Sequence, residues 1–226
     1  MPPTAAPEIK ICGLSTPETL AAALAAGADL VGFVSFPRSP RHVGLDAMAT
    51  LADAARGRAG IVALTVDADD AALDALVAAV RPDILQLHGH ETPERCAAVR
   101  ARFGVSVMKA LGIGTAADVS AVASFAGAAD RLLLDAKPPK DASRPGGLGA
   151  TFDWSLLEDL DPALSFMLSG GLDPDNVGAA IRRVRPAGVD VSSGVETAPG
   201  VKSAALIAAF VAAARRAFAG EPAGVA

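Results

Sequence analysis

Short apolar runs and alanine-rich helical stretches alternate along this chain from one end to the other, and few folds accept that pattern. The runs near 8–12, 30–34, 60–65, 84–87, 105–110, 131–135, 165–169 and 187–191 read as strands. Helices are expected between them, at 17–26, 45–56, 69–79, 93–103, 116–124, 153–159, 174–183 and 202–218. Strands that alternate with helices form βα units on a parallel sheet. Eight of each fit an α/β chain folded as a single-domain (βα)8 TIM barrel over 1–226, with 220–226 a frayed tail. A doubly wound sheet of five or six strands is the competing architecture.

Local punctuation supports the helices. Thr16-Pro17-Glu18 and Thr92-Pro93-Glu94 each place a capping hydroxyl before a proline, and Asp173-Pro174-Asp175 repeats the arrangement. Gly27 and Gly104 stand where helices should end. The apolar share is 51% while aromatic residues make up only 4%, so small side chains must let helices sit close on the sheet. A net charge of -5 argues against a nucleic-acid surface. Two cysteines, Cys12 and Cys96, cannot build a disulfide framework, which points to a reducing cytosol. Met1 to Pro7 lacks the basic and apolar regions of a signal peptide. The run from Ala204 to Ala214 is shorter than the ~20 residues of a membrane span, so no membrane partner is expected.

In parallel barrels the carboxyl ends of strands carry the chemistry. The first strand ends on Cys12 and the sixth on Asp135. Alternation puts Lys10 and Cys12 on one face and Leu133 and Asp135 on one face, so both reactive groups can point inward. An ammonium beside Cys12 would favour its thiolate. A thiol and a carboxyl at one mouth could act as base and acid, which is proton-transfer catalysis without a cofactor. Taken alone, Cys12 reads first as a buried structural thiol, and Asp135 equally as an anchor for the next turn. Cys96 lies mid-helix and reads as structural.

Two glycine- and serine-bearing turns follow the seventh and eighth strands. Gly170-Gly171 and Ser192-Ser193-Gly194 offer backbone N–H groups and hydroxyls to an anion, and barrels frequently hold phosphate there. After the second strand, Arg38 or Arg41 could grip a planar carboxylate bidentately. His88, after the fourth strand, lines the mouth or supports a residue that does; His42 and His90 read as surface. No His, Cys and Asp spacing matches a metal site, so none is expected. Ala136 to Thr151 forms an unusually long connection directly after Asp135, read as a lid.

Together these segments resemble the phosphoribosylanthranilate isomerase family. The matching stretches are Lys10-Ile11-Cys12-Gly13, Gly32-Phe33-Val34 with Ser39-Pro40-Arg41, and Gln86-Leu87-His88-Gly89. Leu134-Asp135, Gly147 to Trp154, Leu168 to Leu172 and Val189 to Glu196 continue the series in family order. The resemblance implies a phosphosugar–anthranilate substrate and an Amadori rearrangement in tryptophan biosynthesis. Cys12 matches the general base, Asp135 the general acid, Arg41 the carboxylate-holding arginine, and Asp190 a residue that places the anthranilate amino group. Gly171 and the Ser192-Ser193-Gly194 turn match the phosphate cradle. Ser35 departs from the family, where an aromatic residue is common. The pattern leaves open a monomer or a homodimer. Rival readings are a related phosphosugar barrel, such as a metal-dependent epimerase, and a catalytically silent phosphosugar binder.

Overall fold

Strand β1 (Glu8–Cys12) lies parallel between β2 (Leu30–Ser35) and β8 (Gly188–Val191), so the sheet meets itself. Between them run β3 (Gly60–Thr65), β4 (Ile84–Leu87), β5 (Ser106–Ile113), β6 (Arg131–Ala136) and β7 (Phe166–Leu168), each paired with its neighbours in chain order. This computed structural model describes residues 6–137, 146, 147, 149 and 151–221. The β1–β8 register sets Lys10 opposite Asp190 and Ile11 opposite Val191, which closes the barrel and removes the doubly wound alternative.

Side chains divide by strand parity. Leu30, Val62, Ile84, Met108, Ala110, Leu133 and Met167 form one buried cluster inside the barrel. Their neighbours, including Ile9, Ile11, Val31, Phe33, Leu132 and Leu134, face the other way and pack against the helices. The surrounding helices are α1 (Pro17–Ala26), α2 (Leu45–Ala55), α3 (Asp70–Val80), α4 (Pro93–Phe103), α5 (Ala116–Val122), α6 (Val177–Val184) and α7 (Ala204–Phe218). Thr16 and Thr92 cap α1 and α4, accepting from the Thr19 and Arg95 N–H groups. Helix α7 buries Ile207, Phe210, Val211, Ala214 and Ala217, a stripe at helical spacing.

Three sequence expectations change. The segment at 153–159 is a 3-10 helix, Trp154–Asp159, so the described residues hold seven α-helices rather than eight. The segment is short, and Pro162 disfavours helical backbone at Asp161 just beyond, so it cannot run on as an α-helix. Asp173 does not cap α6; its carboxylate accepts from the Asp175 and Asn176 N–H groups, both at 2.9 Å, and closes a turn before the helix begins at Val177. A two-stranded antiparallel hairpin, β9 (Glu196–Ala198) and β10 (Val201–Lys202), stands between β8 and α7, where only helix was expected from residue 202. Of the tail, 222–226 lie outside the described residues.

Candidate active site

The strand carboxyl ends open on a concave cavity whose empty space, open solvent at the mouth included, is about 800 Å³. Its lining includes Cys12, Arg41, His88, Asp135, Asp190, Gly170, Gly171, Ser192 and Ser193. These nine were all singled out from the sequence, and they share one cavity. Gly194 does not line it. It backs the Ser192-Ser193 turn instead, where a Cβ would overlap the Leu172 carbonyl, so the loops after β7 and β8 can interlock only around a glycine. Arg38 is exposed and away from the cavity. Ser35 also stays out of the lining, and Val34, Phe36, Leu64 and Val66 make an apolar wall beside Cys12.

Cys12 is 4% exposed at the end of β1. The nearby ammonium is present and acts in the expected direction, but burial outweighs it. Burial pushes the Cys12 thiol up, and the Lys10 and Lys202 charges that pull it down do not overcome that; the Asp190 charge adds to the rise. Lys10 is itself committed to Asp190, Nζ to Oδ1 at 2.7 Å. Burial works against the Lys10 ammonium, but Asp190 and Cys12 hold its pKa above the usual lysine range. Asp190 also accepts from Ser169 Oγ at 3.0 Å, so both of its oxygens are engaged within the site.

Asp135 is positioned from two sides. Its Oδ1 accepts from the Ala136 N–H at 2.8 Å, and its Oδ2 lies 3.3 Å from His88 Nε2. His88 Nδ1 in turn lies 3.3 Å from Gln86 Nε2. A Cβ at Gly146 would stand 2.6 Å from Asp135 Oδ2, so the close passage of this backbone over the carboxylate needs a glycine. Most of the expected lid, 138–145 with 148 and 150, lies outside the described residues, but Gly146, Gly147 and Gly149 line the cavity.

Arg41 is 4% exposed and already paired: Nε and Nη2 meet the two Glu196 oxygens at 2.6 and 2.8 Å. Glu196 and Lys202 were not singled out from the sequence. The signal was present, since an acid and a lysine flank Pro199-Gly200, a turn dipeptide. Lys202 Nζ contacts Glu196 Oε1 at 2.8 Å and donates to the Ser192 carbonyl at 2.8 Å. Among the described residues, no three His, Cys, Asp or Glu side chains cluster as a metal site, and no helix is long and apolar enough to cross a membrane.

The family described as N-(5′-phosphoribosyl)anthranilate (PRA) isomerase matches residues 9–213. This chain belongs to that family. A relative from Rhodopseudomonas palustris (strain BisB18), N-(5′-phosphoribosyl)anthranilate isomerase, is 62% identical over 207 residues, covering 92% of this chain and 95% of its own. Among solved structures, the phosphoribosyl anthranilate isomerase of Thermotoga maritima superposes with a TM-score of 0.83 at 35% identity, covering 92% of this chain and 98% of that one. Another phosphoribosyl anthranilate isomerase, at TM-score 0.78 and 31% identity with the same coverage, was solved in complex with reduced 1-(o-carboxyphenylamino)-1-deoxyribulose 5-phosphate. Membership in the isomerase family accounts for the barrel and for the motifs in their order. The chain is an N-(5′-phosphoribosyl)anthranilate isomerase enzyme of tryptophan biosynthesis.

Proposed function

We propose that this isomerase converts N-(5-phospho-β-D-ribosyl)anthranilate to 1-(2-carboxyphenylamino)-1-deoxy-D-ribulose 5-phosphate by an Amadori rearrangement, with Asp135 as acid and Cys12 as base. The observation that carries this reading is the meeting of Cys12, Asp135, Arg41 and the two glycine- and serine-bearing turns in one cavity. The ligand of the solved relative joins a carboxyphenyl group to a phosphosugar, and this cavity offers matching chemistry. An apolar wall of Val34, Phe36, Leu64 and Val66 suits an aromatic ring, Arg41 suits its carboxylate, and the turns at Gly170-Gly171 and Ser192-Ser193 suit the phosphate.

In this mechanism Asp135 gives a proton to the furanose ring oxygen, the bond from that oxygen to C1 breaks, and a protonated Schiff base forms at C1. Cys12 thiolate removes the proton from C2, and the electron pair neutralises the iminium as an enolamine. Tautomerisation to the ketone returns a proton to C1. Atoms and electrons balance within the substrate, so the reading assigns no cofactor. Asp190 places the anthranilate amino group, and His88 reaches substrate from beside Asp135. A cytoplasmic setting goes with this chemistry.

Positioned acids and bases contribute ~10² to 10⁴-fold each. Cys12→Ser and Asp135→Asn should therefore cut turnover by about that factor while product still binds. Arg41→Ala should chiefly raise KM. Near-wild-type turnover in either of the first two variants, measured by fluorescence on freshly generated substrate, would remove the residue from its role.

A further inference from the structure

The hairpin after β8 carries a buried charge cluster that the acid–base reading does not use. Glu196 begins β9 and Lys202 ends β10, and the two are partners in the hairpin register. Their side chains are 4% and 0% exposed. Glu196 Oε1 accepts from Arg41 Nε at 2.6 Å and from Lys202 Nζ at 2.8 Å. Its Oε2 accepts from Arg41 Nη2 at 2.8 Å and from the Gly200 N–H at 3.2 Å. On the far side, Lys202 Nζ reaches the Ser192 carbonyl at 2.8 Å and the Ser192 Oγ at 3.2 Å. An unbroken series of hydrogen bonds thus runs from Arg41 through Glu196 and Lys202 to Ser192.

Burying three charges is expensive unless they are paired and held in good geometry. Here the carboxylate occupies one edge of the Arg41 fork, which fixes the plane of the guanidinium and leaves its remaining nitrogen for another anion. The cluster sums to one positive charge at the edge of a cavity whose proposed substrate is anionic at both ends. Arg41 stands at the proposed carboxylate end and Ser192 at the proposed phosphate end, and the hairpin ties them together.

We infer that Glu196 and Lys202 are positioning residues that fix the span between the two anion-binding ends of the site. Glu196 acts through Arg41 on the carboxylate end, and Lys202 acts through Ser192 on the phosphate end. The inference rests on the substrate reading above and adds two residues that this reading leaves idle.

Glu196→Gln and Lys202→Met, made in the full chain, separate the two arms. Each is assayed for kcat and KM on phosphoribosylanthranilate, and for inhibition by two probes, anthranilate and inorganic phosphate. Losing a hydrogen bond to a charged group should raise KM about tenfold in each variant while kcat stays within about threefold. Glu196→Gln should weaken anthranilate inhibition and spare phosphate; Lys202→Met should weaken phosphate and spare anthranilate. Lys202→Arg, which keeps the charge, should recover most of the phosphate effect. If Glu196→Gln fails to fold, Glu196→Asp keeps the charge but shortens the reach and carries the same expectation. Unchanged KM in folded variants, or equal loss of both probes in both variants, overturns the inference. Wild-type protein that neither turns over substrate nor is inhibited by either probe would instead overturn the substrate reading beneath it.

Discussion

Cys12 sits where two opposing influences meet. Burial raises its pKa, while the ammoniums of Lys10 and Lys202 lower it without prevailing. A raised pKa leaves less thiolate at any given pH. If the thiolate is the base, kcat/KM of the free enzyme should therefore keep climbing beyond about pH 8.5, where an ordinary cysteine is half ionised. Lys10→Met withdraws a lowering charge and leaves Asp190 without its partner, and both changes push the same way, so the alkaline limb should move higher still. A limb centred at or below the ordinary cysteine range would contradict this. The inward aim of Cys12 and Asp135 could be read from strand parity, because alternation is a local property. The pairing of Lys10 with Asp190 could not, since it joins residues 180 apart in the chain and depends on the register in which the barrel closes.

At the scale of elements, the hairpin from Glu196 to Lys202 joins function to stability. Burial would raise the Glu196 pKa, but Arg41 and Lys202 outweigh it and hold the carboxylate below its usual range. A carboxylate depressed in the folded state stabilises above its unfolded pKa, and that stabilisation is lost as pH falls through the folded value. Glu196→Gln should therefore lower stability by about 3–5 kcal/mol near neutral pH, as for a broken buried pair. The gap in Tm from wild type should narrow as pH drops below about 4.5; a gap constant from pH 7 to pH 3 would tell against the ion pair as its source. Helix starts at Thr16 and Thr92 were legible because a capping hydroxyl acts within three residues. The same logic misplaced the start of α6, because Asp173 satisfies the N–H groups of Asp175 and Asn176 in a turn that resembles a cap in sequence. The apolar spacing at 153–159 is helical, but Pro162 just beyond disfavours its continuation as an α-helix, and the segment closes as a 3-10 helix.

Across the whole molecule, the alternation of strand and helix favoured a closed barrel but left a doubly wound sheet open, because closure rests on the pairing of the first strand with the last. Closure makes the interior a shared structure. Leu133 is fully buried between the barrel walls, and Leu133→Ala should cost ~2–5 kcal/mol. For a domain of this size each kcal/mol is about 2–4 °C in Tm. Calorimetry should show that drop in a single transition; a local melt that spares the rest of the barrel would mean the interior layer is not cooperative.

The seam between β1 and β8 has a consequence for how the enzyme comes to life. The Lys10–Asp190 bond spans that seam, with the proposed base on the first strand made and the proposed phosphate turns beside the last. A chain still emerging from the ribosome therefore holds its thiol without the partners that give it a task. If Cys12 is the base, activity waits until the eighth strand is made and pairs with the first, so the appearance of product reports closure of that seam.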